Sequence, residues 1–369
     1  MAREALSSID RVWLRMEEPT HPMMITVLLV FDAPIEFKRL QAAFSGRLLL
    51  LSRFRQRVVQ PREDGGAAAW EDDPSFDLGQ HLKQTSLPAP ADEGALRAVV
   101  GELMSRQLDL TKPLWQFHLI GPYGTGCALV GRVHHCLADG PALMHVLLAL
   151  TDADASSSRS GTAIQAPAPS PGPEPGIAAR LTELLVQQGF SILFNPFRLR
   201  GMARLGTGTL AAMSKLLWRP PDPNTILKGE LGVTKQVAWS KPVPLAEVKA
   251  IGRAVGGTVN DVMLAAATGA LRRYLVDRGE SVGGLTMRAG LSVNLRAPSA
   301  QPSLGNQAGA VLVELPVGLD TALDRLLHVK RGMDEVKDSP ESSVIWALLN
   351  ALGKAQADTQ EALVETYCT

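Results

Sequence analysis

Over about the first 150 residues, short apolar runs alternate with amphipathic stretches. The run from Met24 to Phe31 is too short to cross a bilayer and predicts a buried strand. Phe37, Leu40, Phe44 and Leu48 recur at helical spacing and predict a helix over 37–50. A second helix is predicted over 96–107, and a strand over 128–135 that runs into a pair of histidines. Leu143, Val146, Leu147 and Leu150 form one apolar stripe, on a helix opening near Pro141, where a missing N–H leaves no partner unsatisfied.

Regular patterning resumes from Val233 onward. Leu245, Val248 and Ile251 mark a short helix closed by Gly256-Gly257, and a longer helix is predicted over 261–277, with Asn260 as a candidate cap. Between Met287 and Arg296 the alternation has period two. Ala289, Leu291, Val293 and Leu295 face one way and Arg288, Ser292, Asn294 and Arg296 the other, as in a half-buried strand. A further strand is expected over 310–315, and helix dominates the last forty residues. No repeat of fixed period is visible. Strands and helices mixed in both halves predict an α/β or α+β protein with sandwich-like layers.

Two stretches break this pattern. Residues 153–176 are rich in Ser, Ala, Pro and Gly and read as a linker, since they hold too little apolar surface to fold alone. Residues 177–230 begin with an apolar, basic segment. Arg180, Arg198, Arg200, Arg204, Lys215 and Arg219 stand against one acid, Glu183, among Phe190, Ile192, Leu193, Phe194, Phe197 and Trp218. Such a segment suits a membrane interface or, as the plainer reading, a helical cover for the core. The expected organisation is a domain over 1–152, a linker over 153–176, a helical segment over 177–230 and a second domain over 231–369.

A length of 369 residues agrees with two cores. Thirty-seven basic residues balance thirty-seven acidic ones, so no general field exists to gather nucleic acid. Cys127, Cys136 and Cys368 include no CxxC pair, which argues against a disulfide framework or a zinc site and for a reducing compartment. The first eighteen residues are charged and lack the apolar core of a signal peptide, so a cytoplasmic location is expected.

The candidate chemistry lies in His134-His135-Cys136-Leu137-Ala138-Asp139-Gly140. Imidazole titrates near neutral pH and suits removal of a proton from an attacking alcohol. Adjacent residues at a strand end point to opposite sides, so one histidine faces a reaction channel and the pair is poorly placed to share a metal. Asp139 is placed to steady the following turn or to pair with a distant arginine. Gly140 is expected to permit close backbone approach. Cys136 lies inside the motif and is set aside as a nucleophile. His21, His81, His118, His145 and His328 have no motif around them and are read as ordinary.

In this HHxxxDG pattern the chain resembles the bacterial wax ester synthase/acyl-CoA:diacylglycerol acyltransferases. Their superfamily includes chloramphenicol acetyltransferase, carnitine acyltransferases and peptide-synthetase condensation domains. Further landmarks extend the resemblance: Ser8-Ile9-Asp10, Pro22-Met23, Trp70 with Phe76-Asp77, Pro113-Leu114-Trp115, Asn260-Asp261, Val293-Asn294-Leu295-Arg296 and Gly305-Asn306. The resemblance implies two chloramphenicol-acetyltransferase-like domains with a channel between them. It implies His135 as general base, supported by His134, with Asp139, Gly140 and Arg296 structural and Arg296 paired to Asp139 across the halves. Pro113, Leu114, Trp115, Asn260 and Asp261 are expected to shape the channel.

The implied substrates are acyl-CoA and a diacylglycerol or fatty alcohol, with no cofactor, no metal and no nucleic-acid partner. Peripheral association with the inner membrane face or lipid inclusions goes with them. The family's members continue past the point matching residue 369 with further strands, so the second domain is expected to be incomplete. Two alternatives follow: a catalytically impaired homologue that binds lipid surfaces, and a transferase with a polyketide-type alcohol as acceptor.

Overall fold

The computed structural model describes residues 3–60, 68–152, 177–188, 220–296, 304–337 and 339–355. The first half holds strands β1 (Glu4–Ala5), β2 (Met24–Phe31), β3 (Gln56–Val59), β4 (Ala69–Asp72), β5 (Leu82–Ser86), β6 (Trp115–Tyr123) and β7 (Gly126–His134). Its helices are α1 (Ser8–Arg15), α2 (Phe37–Gly46), α3 (Leu78–His81), α4 (Glu93–Ser105) and α5 (Gly140–Ala149). Helix α6 spans Ile177–Gln188. The second half holds α7 (Leu245–Ala254), α8 (Val259–Asp277), β8 (Met287–Asn294), β9 (Ala308–Leu315), α9 (Ala322–Lys337) and α10 (Glu341–Lys354).

The main sheet runs β2-β7-β6-β5, antiparallel except for the parallel β5–β6 pair. Every residue of β7 is buried, because helices cover both faces of the sheet. Ala128 and Val130 meet Leu96, Val99, Val100 and Leu103 of α4. Cys127, Leu129 and Val133 face the larger core with Leu40 and Phe44 of α2 and Leu143, Val146 and Leu147 of α5. The first half therefore has a helix layer on each side of its sheet. Strands β1-β4-β3 form a small second sheet, with Trp70 sealed at its centre beneath the Arg53 guanidinium.

In the second half β8 and β9 pair antiparallel over their full lengths. The predicted alternation holds: Leu291 and Val293 join Val311, Val313, Val329 and Met333 in one cluster, while Ser292 and Asn294 face solvent. The halves are laced together at several points. Val237 and Trp239 lie on α4, and Leu304 is buried in the first half's core. Ile9 of α1 packs with Leu181 and Leu185 of α6 and Val344, Ala347 and Ala351 of α10. Burial of α6 in this way favours the core-covering reading for residues 177–188. The rest of the basic segment up to residue 219, and the linker 153–176, lie outside the described residues.

Several boundaries differ from expectation by one to four residues, and two of them have a visible cause. The helix predicted to reach Leu50 ends at Gly46, where Arg47 leaves helical geometry and its side chain turns to the Ala149 carbonyl and Asp152; Leu48–Leu50 is a separate 3-10 turn. Helix α8 starts at Val259, two residues before the predicted start. Its cap is Thr258, whose hydroxyl accepts from the Asp261 amide while the Asp261 carboxylate accepts from the Thr258 amide. Among the described residues no helix is long and apolar enough to cross a membrane.

Helices α1 and α10 approach so closely that a Cβ on Gly353 would sit 1.9 Å from the Ser8 carbonyl oxygen. Backbone on both sides of this contact leaves no side chain to give way. Gly353→Ala is therefore expected to destabilise the protein by about 1–3 kcal/mol, read as a lower thermal unfolding temperature than the parent's.

Candidate active site

Strand β7 carries the two histidines to its end, where the backbone is fixed from both neighbours. The His134 amide donates to the Leu114 carbonyl at 3.0 Å and the His135 amide to the Met23 carbonyl at 2.7 Å. The chain then turns, with Leu137 N–H returning to the His134 carbonyl at 3.0 Å, and enters α5 through Asp139.

The Asp139 side chain is buried and fully engaged. Its Oδ1 accepts from the Ala142 amide at 2.9 Å and caps α5. Its Oδ2 accepts from Arg296 Nη1 at 2.8 Å and from the Gln307 amide at 2.9 Å. Arg296 Nη2 donates in turn to the Gly305 carbonyl at 2.7 Å. Ala138 and Gly305 form an isolated parallel bridge, so residues 305–307 are held against the histidine motif. Gly305 has φ +97°, a backbone conformation that glycine adopts without Cβ strain.

This arrangement presents Asn306 to His135. The Asn306 Nδ2 donates to the His135 carbonyl at 2.7 Å and to Asp10 Oδ1 at 2.7 Å. Its Oδ1 lies 3.2 Å from His135 Nδ1. Trp13, one turn after Asp10 on α1, stacks on the His135 ring with centroids 4.1 Å apart and an interplanar angle of 22°. Burial lowers the His135 pKa below its ordinary value, against the raising effect of hydrogen bonds and of Asp139. The neutral form of the ring is therefore favoured.

His134 points to the opposite side and has no exposed surface. Its Nδ1 accepts from the Cys136 amide at 3.0 Å, which leaves the ring proton on Nε2, 3.4 Å from Glu17 Oε2. Glu17 also accepts from the Met23 amide and from Gln107. Burial raises the Glu17 carboxyl, but its contacts with His134, Met23 and Gln107 outweigh this and leave it below the usual value. His134 is thus tied to the first half's framework while His135 faces the second half. Cys136 is enclosed, and burial pushes its thiol well above the ordinary range, which removes it as a nucleophile.

The other predicted residues are placed differently. Leu114 and Trp115 are completely enclosed; Trp115 packs against Phe44, Phe54, Phe76, His81 and Phe117, and its indole N–H donates to the Phe54 carbonyl at 2.8 Å. They and the buried Pro113 shape the region through packing. Asp261 closes the α8 cap; Asn260 is exposed, and it is not the cap residue because Thr258 takes that place. Neither has a hydrogen bond to the histidine cluster among the described residues. Close backbone approach at Gly140 is not observed: a Cβ there would meet nothing within 4 Å. The turn is held by Asp139 instead.

Four residues around the histidines were not assigned a role from sequence. Asp10 and Asn306 appeared only as family landmarks, and Trp13 and Glu17 not at all. Helical spacing of Asp10 and Trp13, with Glu17 just beyond the same helix, was the available signal.

The sequence and the fold are both similar to those of known proteins. The model of the wax ester synthase/diacylglycerol acyltransferase catalytic domain matches residues 6–263, and that of the WS/DGAT C-terminal domain matches residues 304–368. A probable diacylglycerol O-acyltransferase of Mycobacterium tuberculosis is 30% identical over 365 residues, spanning 94% of this chain and 74% of the relative. A second one from that species is 28% identical over 340 residues, spanning 88% and 72%. Among solved structures, a wax ester synthase/diacylglycerol acyltransferase from Marinobacter aquaeolei superposes with a TM-score of 0.61 at 23% identity, covering 99% of this chain and 80% of that one. The first condensation domain of the calcium-dependent antibiotic synthetase gives 0.60 at 17% identity, covering 91% and 75%. These likenesses give the fold, a mixed α/β architecture shared with wax ester synthase/diacylglycerol acyltransferase and condensation-domain structures.

Removing the Asp139 carboxylate strands the buried Arg296 guanidinium and uncaps α5. Asp139→Ala is expected to cost about 3–5 kcal/mol in urea unfolding; Asp139→Asn, which keeps a cap acceptor, costs less. Native protein treated with iodoacetamide is expected to remain unmodified at Cys136 by peptide mapping, and to become modified there in urea.

Proposed function

Because this chain belongs to the wax ester synthase/diacylglycerol acyltransferase family, we propose that it moves a long-chain acyl group from acyl-CoA to the hydroxyl of a diacylglycerol or fatty alcohol. His135 serves as general base. The observation that carries this reading is the half-buried His135 ring at the seam of the two halves. Its Nδ1 edge is occupied by Asn306, and among the described residues no group bonds Nε2.

In this reading Nε2 takes the hydroxyl proton as the alcohol oxygen attacks the thioester carbonyl. The tetrahedral adduct collapses to an ester, the C–S bond breaks, and the departing sulfur receives the proton from Nε2, so CoA leaves as the thiol. No acyl-enzyme is needed, in keeping with the enclosed Cys136. Trp13 stacked on the ring favours the transient imidazolium through its π face. His134, locked to Glu17 and the Cys136 amide, supports the strand end rather than meeting substrate. Water-insoluble acceptors of this kind are met at the surface of a membrane or lipid inclusion, which makes peripheral attachment part of the proposal.

Purified protein is expected to release free CoA from palmitoyl-CoA when hexadecanol or dioleoylglycerol is supplied. His135→Ala should lower kcat by about 10²–10⁴-fold. Because burial lowers the His135 pKa and the neutral ring is the active form, kcat/KM should be level at pH 7. It should fall on an acid limb whose midpoint lies below the ordinary histidine value of about 6.5. Acceptor-independent release, or release unchanged in His135→Ala, would remove this reading. Vesicle binding by a folded parent that turns over no thioester would establish the lipid-surface protein in its place.

A further inference from the structure

Asn306 is the one described residue of the second half that bonds the His135 side chain, and its amide orientation is fixed by its surroundings. Two acceptors, the Asp10 carboxylate and the His135 carbonyl, lie 2.7 Å from one end of the amide. That end must be the NH2 group, since the reverse orientation would set three acceptor oxygens against one another. The amide oxygen then faces Nδ1 at 3.2 Å, joining the residue's own carbonyl as an acceptor for the ring, and Nδ1 must donate. A neutral imidazole protonated on Nδ1 carries its lone pair on Nε2. The opposite tautomer would offer a donor to the incoming hydroxyl and could not take its proton.

We propose that Asn306 and Asp10 are positioning residues for acyl transfer: Asn306 holds His135 in its Nδ1–H tautomer, and the Asp10 carboxylate holds the Asn306 amide in the orientation that does so. The inference rests on the reading of His135 as the base. Asp10 is itself buried at 7% exposure at the start of α1, where Ser7 caps the helix. Burial raises the Asp10 carboxyl above its ordinary value, while its contacts with Asn306, Ser7 and Arg53 pull it back toward the ionised form, in which it polarises the amide and strengthens the acceptor that Asn306 offers to the ring. When the ring becomes imidazolium, the same chain of hydrogen bonds delocalises its charge toward Asp10. The other charged groups near the pair are Arg53 beside Asp10, and Asp139 and His134 beside His135.

The base is thereby completed by the second half. Asn306 sits between Gly305 and Gln307, both anchored to the histidine motif by Arg296 and Asp139. Two separate devices thus serve one alignment: an ion pair that sets the backbone of 305–307, and an amide that sets the proton on the ring.

Protein labelled with 15N-histidine tests the tautomer directly, with the His135 signals assigned by their loss in His135→Gln. Above neutral pH the parent is expected to show Nδ1 protonated and Nε2 unprotonated. In Asn306→Ala the His135 signals should move toward the opposite tautomer. Asp10→Asn, which preserves shape and removes only the charge, should move them part of the way. In steady-state assays with palmitoyl-CoA, kcat should fall at least about 10-fold in Asn306→Ala, a share of the 10²–10⁴-fold a positioned base contributes. KM for palmitoyl-CoA should stay within about 2-fold, and the acid limb should shift to lower pH as the imidazolium loses its acceptor.

A parent with the proton on Nε2, or an Asn306→Ala protein with unchanged tautomer, kcat and acid limb, would overturn the inference. If the tautomer shifts as expected while His135→Ala keeps full activity, the positioning holds and the base assignment fails.

Discussion

One buried carboxylate ties the two halves into a working unit. Asp139 accepts from its own helix, from Arg296 and from the backbone of Gln307. With an Asp139 side chain 1% exposed and an Arg296 side chain 8% exposed, the charges could not be carried separately into this environment without a large desolvation cost. Their pairing, completed by the Gly305 carbonyl and the α5 amide, satisfies that cost and selects one alignment of the halves. The interaction contributes specificity of arrangement more than net stability, since an apolar pair of equal volume would avoid the desolvation altogether.

The histidines divide their work along the same seam. His134 is committed to the first half, through Glu17 and the Cys136 amide, whereas His135 is committed to Asn306 and stacked on Trp13. Helix α1 supplies Trp13 and Asp10, and its continuation supplies Glu17, so one short segment reaches both rings. That segment in turn leans on α6 and α10 through Ile9. The geometry of the site is thus distributed over elements that none of the histidines' own sheet neighbours could replace.

Much of this was legible in the sequence where local pattern and local structure coincide. Strand β2 has the predicted bounds, β8 has the predicted alternation, and α5 opens beside Pro141 as its stripe required. The HHxxxDG spacing located the histidines, and the family resemblance implied the partnership of Asp139 with Arg296, which the geometry displays. Helix α1 escaped because its apolar stripe, though sharply segregated, lasts only eight residues, and its stability comes from the Ser7 cap and distant packing. The cap of α8 was misplaced because Asn260 is as good a cap by type as Thr258, and only the reciprocal bond with Asp261 separates them. Asn306 carried no readable role because its three hydrogen bonds reach across sequence separations of 171 and 296 residues, where periodicity holds no information.

The contact between Gly353 and Ser8 has a temporal side. As the chain leaves the ribosome, the sheet that bears the histidines has all its strands once Gly126–His134 has emerged, and most of their contacts are internal to it. Helix α1 is made before any of these and rests partly on the first half's core through Trp13 and Leu14, yet α10, part of the surface that holds it, is among the last described elements to be synthesised. For most of synthesis the segment bearing Asp10 and Trp13 therefore waits without this part of its support, and closing so long a loop is a late and entropically costly event. A nascent chain can thus own a folded sheet and an intact histidine motif while the environment that makes the motif chemically useful does not yet exist.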